Sequence, residues 1–116
     1  MRGYFGIGVE HISKPMNAGN LFRSAHAFGA DFIFAIAPAV DLREIQKADT
    51  SRTVKHLPLY EFPEASKLVL PRDCQLVGVE LMDEAADLPS FNHPERAAYI
   101  LGPEKGSLSP EVNARC

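Results

Sequence analysis

The sequence predicts an α/β fold: a mostly parallel sheet with helices on both faces. Three observations carry this. Apolar runs of strand length recur along the chain. They alternate with helical patterns, and the connections between them are of crossover length rather than hairpin length. At 116 residues the chain suits one domain and is long enough to bury a core.

The elements follow in order. "YFGIGVE", residues 4–10, reads as a first buried strand. "NAGNLFRSAHAFG", residues 17–29, follows as a helix. Leu21, Phe22, Ala25 and Phe28 fall on one arc at helical spacing and form its core stripe. Asn17 sits near its start as a candidate cap, and Gly29 is a natural stop. "ADFIFAIA", residues 30–37, is the second strand, ended by Pro38. Residues 41–53 are polar and basic and hold a short helix or a loop. "VKHLPLYEF", residues 54–62, is a third strand, and Pro58 puts it at an edge. "PEASKLVL", residues 63–70, fits a short helix with Pro63 and Glu64 in its first turn. "QLVGVEL", residues 75–81, and "AAYIL", residues 97–101, are two more buried strands around a loop. The last runs into "GPEKGSLSPEV", a glycine-containing loop and then a helix with Ser109 as N-cap and Pro110 first.

Composition bounds the function. No apolar run is long enough to span a membrane, and the first residues hold no apolar signal-peptide core, so the expectation is a cytoplasmic protein. Cys74 and Cys116 lack metal-type spacing and are expected to be free thiols; no metal site is expected. The net charge of −3 argues against a strong non-specific nucleic-acid binder. It is unevenly spread, however: residues 1–56 sum to +2 and residues 57–116 to −5. Arg43, Lys47, Arg52 and Lys55 give the first half a basic stretch that could offer phosphates a local surface. An ordinary solvated surface fits the same counts.

Two stretches stand out, and both follow strands at the end where such sheets bind ligands. In the first, Asn20, Arg23 and Ser24 share the arc opposite Phe22, and Gly19 permits close approach. A guanidinium, two amides and a helix N-terminus facing one place suit a phosphate or a developing alkoxide. A capped helix with a solvated arginine fits as well. In the second, Gly102 and Gly106 bracket "PEK", and such a loop can lay its backbone against a flat ligand while Glu104 adds a carboxylate. A plain turn with surface charges also fits. The "GIG" at residues 6–8 lacks the third glycine of a dinucleotide fingerprint.

Together, "NAGNLFRSA" and "LGPEKGSLSPEV" resemble the first and second motifs of the SpoU/TrmH-type RNA ribose methyltransferases, members of the knotted SPOUT class. Asn17 and Arg23 stand six apart with Gly19 between; Gly102, Glu104, Gly106 and Leu-Ser-Pro follow in order. The resemblance covers essentially the whole chain as one domain, residues 1–116. It implies S-adenosylmethionine as methyl donor, a ribose 2′-hydroxyl of tRNA or rRNA as acceptor, and a homodimer; tRNA is expected over rRNA because no separate RNA-binding domain precedes the core. It makes Arg23 the catalytic arginine, with Asn17 orienting it or the ribose and Glu104 supporting the site. Val79, Glu80, Gly102 and Gly106 match positions lining the methyl-donor pocket. The family's third motif, a strand, an asparagine-bearing loop and a knotted helix, finds no match before Cys116, so the resemblance implies a domain truncated at its C-terminal end. His11 and His26 match no motif and read as structural. The rival expectations are a non-catalytic RNA-binding relative of the same fold and a generic α/β nucleotide-binding domain.

Overall fold

The apolar runs form five strands in the computed structural model, which describes residues 3–49, 57–79, 95–102 and 108–116. These are β1 (Tyr4–Glu10), β2 (Phe32–Ile36), β3 (Leu59–Phe62), β4 (Gln75–Val79) and β5 (Arg96–Leu101). They lie in the order β3-β2-β1-β5-β4, and every pairing is parallel. Pro58 precedes an edge strand, as a residue without an N–H should. The helices are α1 (Pro15–Phe28), α2 (Leu42–Asp49) and α3 (Pro110–Arg115).

The two faces of the sheet carry separate cores. On one, Ala18, Leu21, Phe22 and Ala25 of α1 and Leu42 of α2 pack over Val9, Ile33 and Ala35. On the other, Val112 of α3 joins Phe32, Phe34, Ile36, Leu76, Ala98 and Ile100. The second face is aromatic. Tyr4 stacks on Phe32 with ring centroids 5.5 Å apart, and Phe34 lies 6.0 Å from Phe32. These rings fit because Gly6 and Gly8 of β1 stand opposite Phe32 and Phe34 in register. A Cβ at Gly8 would lie 2.4 Å from the Phe34 ring. The two glycines of "GIG" are therefore ring cradles, and a nucleotide has no part in their placement.

Four local expectations need correction. Helix α1 begins at Pro15, two residues before Asn17, with Lys14 as a cap that makes no side-chain hydrogen bond. Pro15 supplies a pre-set φ and has no N–H to satisfy, so no polar cap is needed there. Asn17 is thus inside the first turn. Phe28 is 73% exposed, because it lines an open groove with Gly3 and Phe5 instead of packing in the core beside Ala25. "PEASKLVL" forms a single 3-10 turn, Ala65–Lys67, anchored by buried Ala65 and Leu68. Strand β5 begins one residue early, at Arg96, whose guanidinium lies over the Tyr4 ring. The stops hold: Gly29 takes φ 76°, and the backbone N–H groups of Gly29 and Ala30 donate to His26 and Ala25. Ser109 caps α3 by accepting from Val112 N at 3.3 Å.

Candidate functional site

Strand β1 feeds α1 on one face of the sheet, and β5 feeds α3 on the other. Neighbouring parallel strands whose connections leave to opposite faces open a crevice beyond their carboxyl ends. That crevice lies between β1 and β5, and both unusual stretches of sequence start from its rims. Val9, Leu101 and Val79 stand side by side in register across β1, β5 and β4, so the three strand ends are level there.

A groove of about 800 Å³ runs along the α1-bearing face of the sheet, from Gly3, Phe28 and Glu95 near the amino ends of β1 and β5 to Val79 and Gly102 at the carboxyl ends. Its floor is apolar, built from Phe5, Ile7, Val9 and Leu101. Tyr99 adds a phenol whose pKa is raised by burial, so the hydroxyl is neutral at physiological pH. Asn17, Asn20 and Ser24 of α1 supply a polar wall, and Val79 and Gly102 line the opposite end. Helical spacing explains the wall: positions three and four apart share a face, and the face opposite Phe22 is the one the core does not take. The volume lies within the range of small-molecule sites, and an apolar floor with few polar groups is their usual lining.

Arg23 continues the polar row. Its Nη2 donates to Asn20 Oδ1 at 2.5 Å. The side chain leans back toward the helix N-terminus, and a Cβ at Gly19 would sit 3.3 Å from Arg23 Nη1. Gly19 thus makes room for the guanidinium of its own helix. The sequence suggested close approach of something at Gly19; the partner four residues on was the part it left open.

The chain matches the sequence profile described as the SpoU rRNA methylase family over residues 5–116. It belongs to that family. Solved structures of similar fold agree. An rRNA methyltransferase from Sinorhizobium meliloti superposes with TM-score 0.74 at 17% identity, covering 99% of this chain and 46% of that one. The SpoU methyltransferase AviRb from Streptomyces viridochromogenes, in complex with the cofactor AdoMet, gives 0.76 at 21% identity, covering 100% of this chain and 47% of that one. A structure described in terms of 2-OH methylation of C/U34 on tRNA gives 0.75 at 24% identity, covering 97% and 76% respectively. The chain spans about half the length of the first two. No curated protein sequence matches it.

Among the residues expected to form the site, Asn17, Val79 and Gly102 line one groove, and Arg23 is tied to it through Asn20. Glu80, Glu104, Gly106, Arg52 and Lys55 lie outside the described residues. Arg43 and Lys47 sit on exposed α2, away from the groove lining. Arg43 donates to Leu59 O at 3.4 Å and pairs with Glu61 at 3.8 Å; Lys47 pairs with Glu44 at 3.6 Å. Among the described residues no cluster of His, Cys, Asp and Glu could hold a metal, and no helix is long and apolar enough to cross a membrane. Helical periodicity places Asn20 and Ser24 on the polar arc with Arg23, and both line the groove, although neither counts among the expected site residues. His11 reads as structural from sequence, and Glu10 has no role in the sequence reading, because nothing local marks it.

Proposed function

We propose that this chain is an S-adenosylmethionine-dependent RNA methyltransferase that modifies a ribose 2′-hydroxyl of tRNA. One observation supports this above the others. The polar row Asn17–Asn20–Arg23 and the strand ends bearing Val79 and Gly102 meet at one crevice, so acceptor and donor groups can share it. The groove's size and apolar floor fit the methyl donor, with Val79 and Gly102 beside it. When bound, the donor supplies an electrophilic methyl on a sulfonium. AviRb was solved with AdoMet. This chain covers 76% of the structure concerned with tRNA 2-OH methylation, against 46% of the rRNA methyltransferase, which favours a tRNA ribose.

Arg23 is permanently protonated, so it does not act as a base. It stabilises negative charge as the 2′-hydroxyl becomes an alkoxide. Asn20 holds the guanidinium by accepting from Nη2 and limits its rotation. Asn17, one turn earlier on the same wall, orients the ribose or Arg23. The transfer is a direct in-line displacement with no covalent link to the protein. Glu104 is assigned to the support of the second loop, with Glu80 and Gly106 beside the donor. We propose further that the protein works as a homodimer. Met16, 75% exposed on α1, is an apolar side chain that such an interface could bury.

The test is methyl transfer from labelled S-adenosylmethionine to bulk tRNA, followed by mapping of the modified nucleoside. A 2′-O-methyl product is expected. Arg23→Ala should lower kcat by about 10²–10³-fold, the usual worth of such a donor. It should leave donor affinity unchanged, since Arg23 acts on the acceptor. RNA binding with no transfer would support the non-catalytic relative instead.

A further inference from the structure

We propose that Glu10 is a positioning residue that locks the two motif-bearing loops together across the crevice; this rests on the methyltransferase reading above. Among the described residues, Glu10 is the one charged side chain in the buried core, 1% exposed. A buried carboxylate is costly unless its oxygens are satisfied. Here Oε1 accepts from the backbone N–H of Ser109 at 2.8 Å, and Oε2 lies 3.4 Å from Nε2 of the half-exposed His11.

The two partners belong to different loops. Ser109 stands 99 residues downstream, where the loop leaving β5 becomes α3. It is also the cap of α3, which is fixed in turn by buried Val112 and by Arg115 Nη1 donating to Ala65 O and Leu68 O. The loop after Gly102 therefore starts on a strand in register with β1 and ends on a carboxylate held by β1. His11 begins the loop that leads into α1. It sits at φ 58°, a conformation uncommon for a residue with a side chain, and its N–H donates to Ile36 O at 2.8 Å. That backbone position lets the imidazole fold back to the carboxylate of its own neighbour. Glu10 thus reaches one loop with each oxygen, at the strand end where β1 and β5 part.

An apolar residue of similar volume would fill the same space but leave the Ser109 N–H without its acceptor, so Glu10 contributes stability as well as the geometry it imposes. Residues of the second loop contact the donor in the proposed function, whereas α1 serves the acceptor. Loosening the far end of that loop should therefore weaken the donor and spare the RNA.

The experiment compares Glu10→Gln and Glu10→Met with the parent. Gln keeps the acceptor for Ser109 N; Met keeps the volume and removes it. We expect Glu10→Met to raise KM for S-adenosylmethionine about tenfold or more, from loss of a hydrogen bond to a charged acceptor. The affinity for tRNA should be unchanged, and Glu10→Gln should recover the KM to within a few-fold. An unchanged KM in Glu10→Met overturns the proposal, as does equal impairment by Gln and Met. Amide hydrogen exchange supplies a readout that needs neither catalysis nor the Met variant. In the parent protein the Ser109 N–H should exchange as slowly as the amides of β1; rapid exchange there overturns the lock. Absence of any methyl transfer by a parent protein with a slow Ser109 amide would instead refute the functional reading and leave the lock standing.

Discussion

Replacing Gly8 by alanine should destabilise the domain, and the structure sets the size of the effect. A Cβ at this position would meet Phe34 Cζ at 2.4 Å and both Cε atoms at 2.5 Å. Carbon atoms in good contact sit about 3.5–4.0 Å apart. The ring would have to withdraw by about 1 Å or more, yet Phe34 is 1% exposed and already leans on Phe32. Overpacking of a tight core costs about 1–3 kcal/mol. The reduced freedom of the unfolded chain returns up to about 1 kcal/mol of that. A net loss of about 2 kcal/mol is expected at the crowded end of the range. For a chain of 116 residues the unfolding entropy is about 0.24 kcal/mol/K, so Tm should fall by about 8 °C. The assay is thermal unfolding of Gly8→Ala, Phe34→Leu and the double variant. Leucine lacks the three ring atoms that clash, so the double variant should recover part of the loss, with a coupling energy of about 1 kcal/mol or more. A parental Tm for Gly8→Ala, or strict additivity in the cycle, would refute the cradle.

The basic stretch makes a second prediction. If Arg43, Lys47, Arg52 and Lys55 track RNA phosphates, neutralising each should flatten the salt dependence of RNA binding by about one unit of slope or less. Arg43 and Lys47 should fall at the low end, since Glu61 and Glu44 compete for them; an unchanged slope with all four neutralised removes the patch. Sedimentation should find a dimer, and Met16→Glu should shift it toward monomer if α1 lies in the interface; a parent that sediments as a monomer at micromolar concentration refutes the dimer.

What the sequence made legible divides by distance along the chain. The strands could be read because each is an apolar run bounded by a local breaker, and a sheet buried on both faces needs no alternation. Gly29 and Ser109 could be read because a helix end is a local problem with few solutions. The start of α1 was misread for the same local reason. Asn17 looks like a cap, but Pro15 lets the helix begin without one. Phe28 has core spacing, yet it lines an open groove, which helical periodicity does not encode. Gly6 and Gly8 acquire meaning only from Phe32 and Phe34 on the next strand. The bond from Ser109 to Glu10 spans 99 residues and leaves no trace in composition or period.

The convergence of two motifs so far apart in sequence follows from the topology alone. Strands β1 and β5 become neighbours although three other strands separate them in sequence. Once they pair in parallel, the residues after each must emerge at the same edge. Asn17, Asn20 and Arg23 then descend from that edge on α1 over one face, while α3 packs on the other. The loops therefore have no helix packing in common that would fix their separation. Residues at the crevice itself must do this, and most of those are apolar and non-directional, such as Val9 and Leu101. Hydrophobic contact tolerates sliding; a carboxylate bonded to a backbone N–H does not. Glu10 occupies the last position of β1, the place from which one side chain can reach both loops. A site that must align an acceptor hydroxyl with a methyl donor gains most from a directional tie at that point, where a shift of about 1 Å is enough to cost two orders of magnitude in rate.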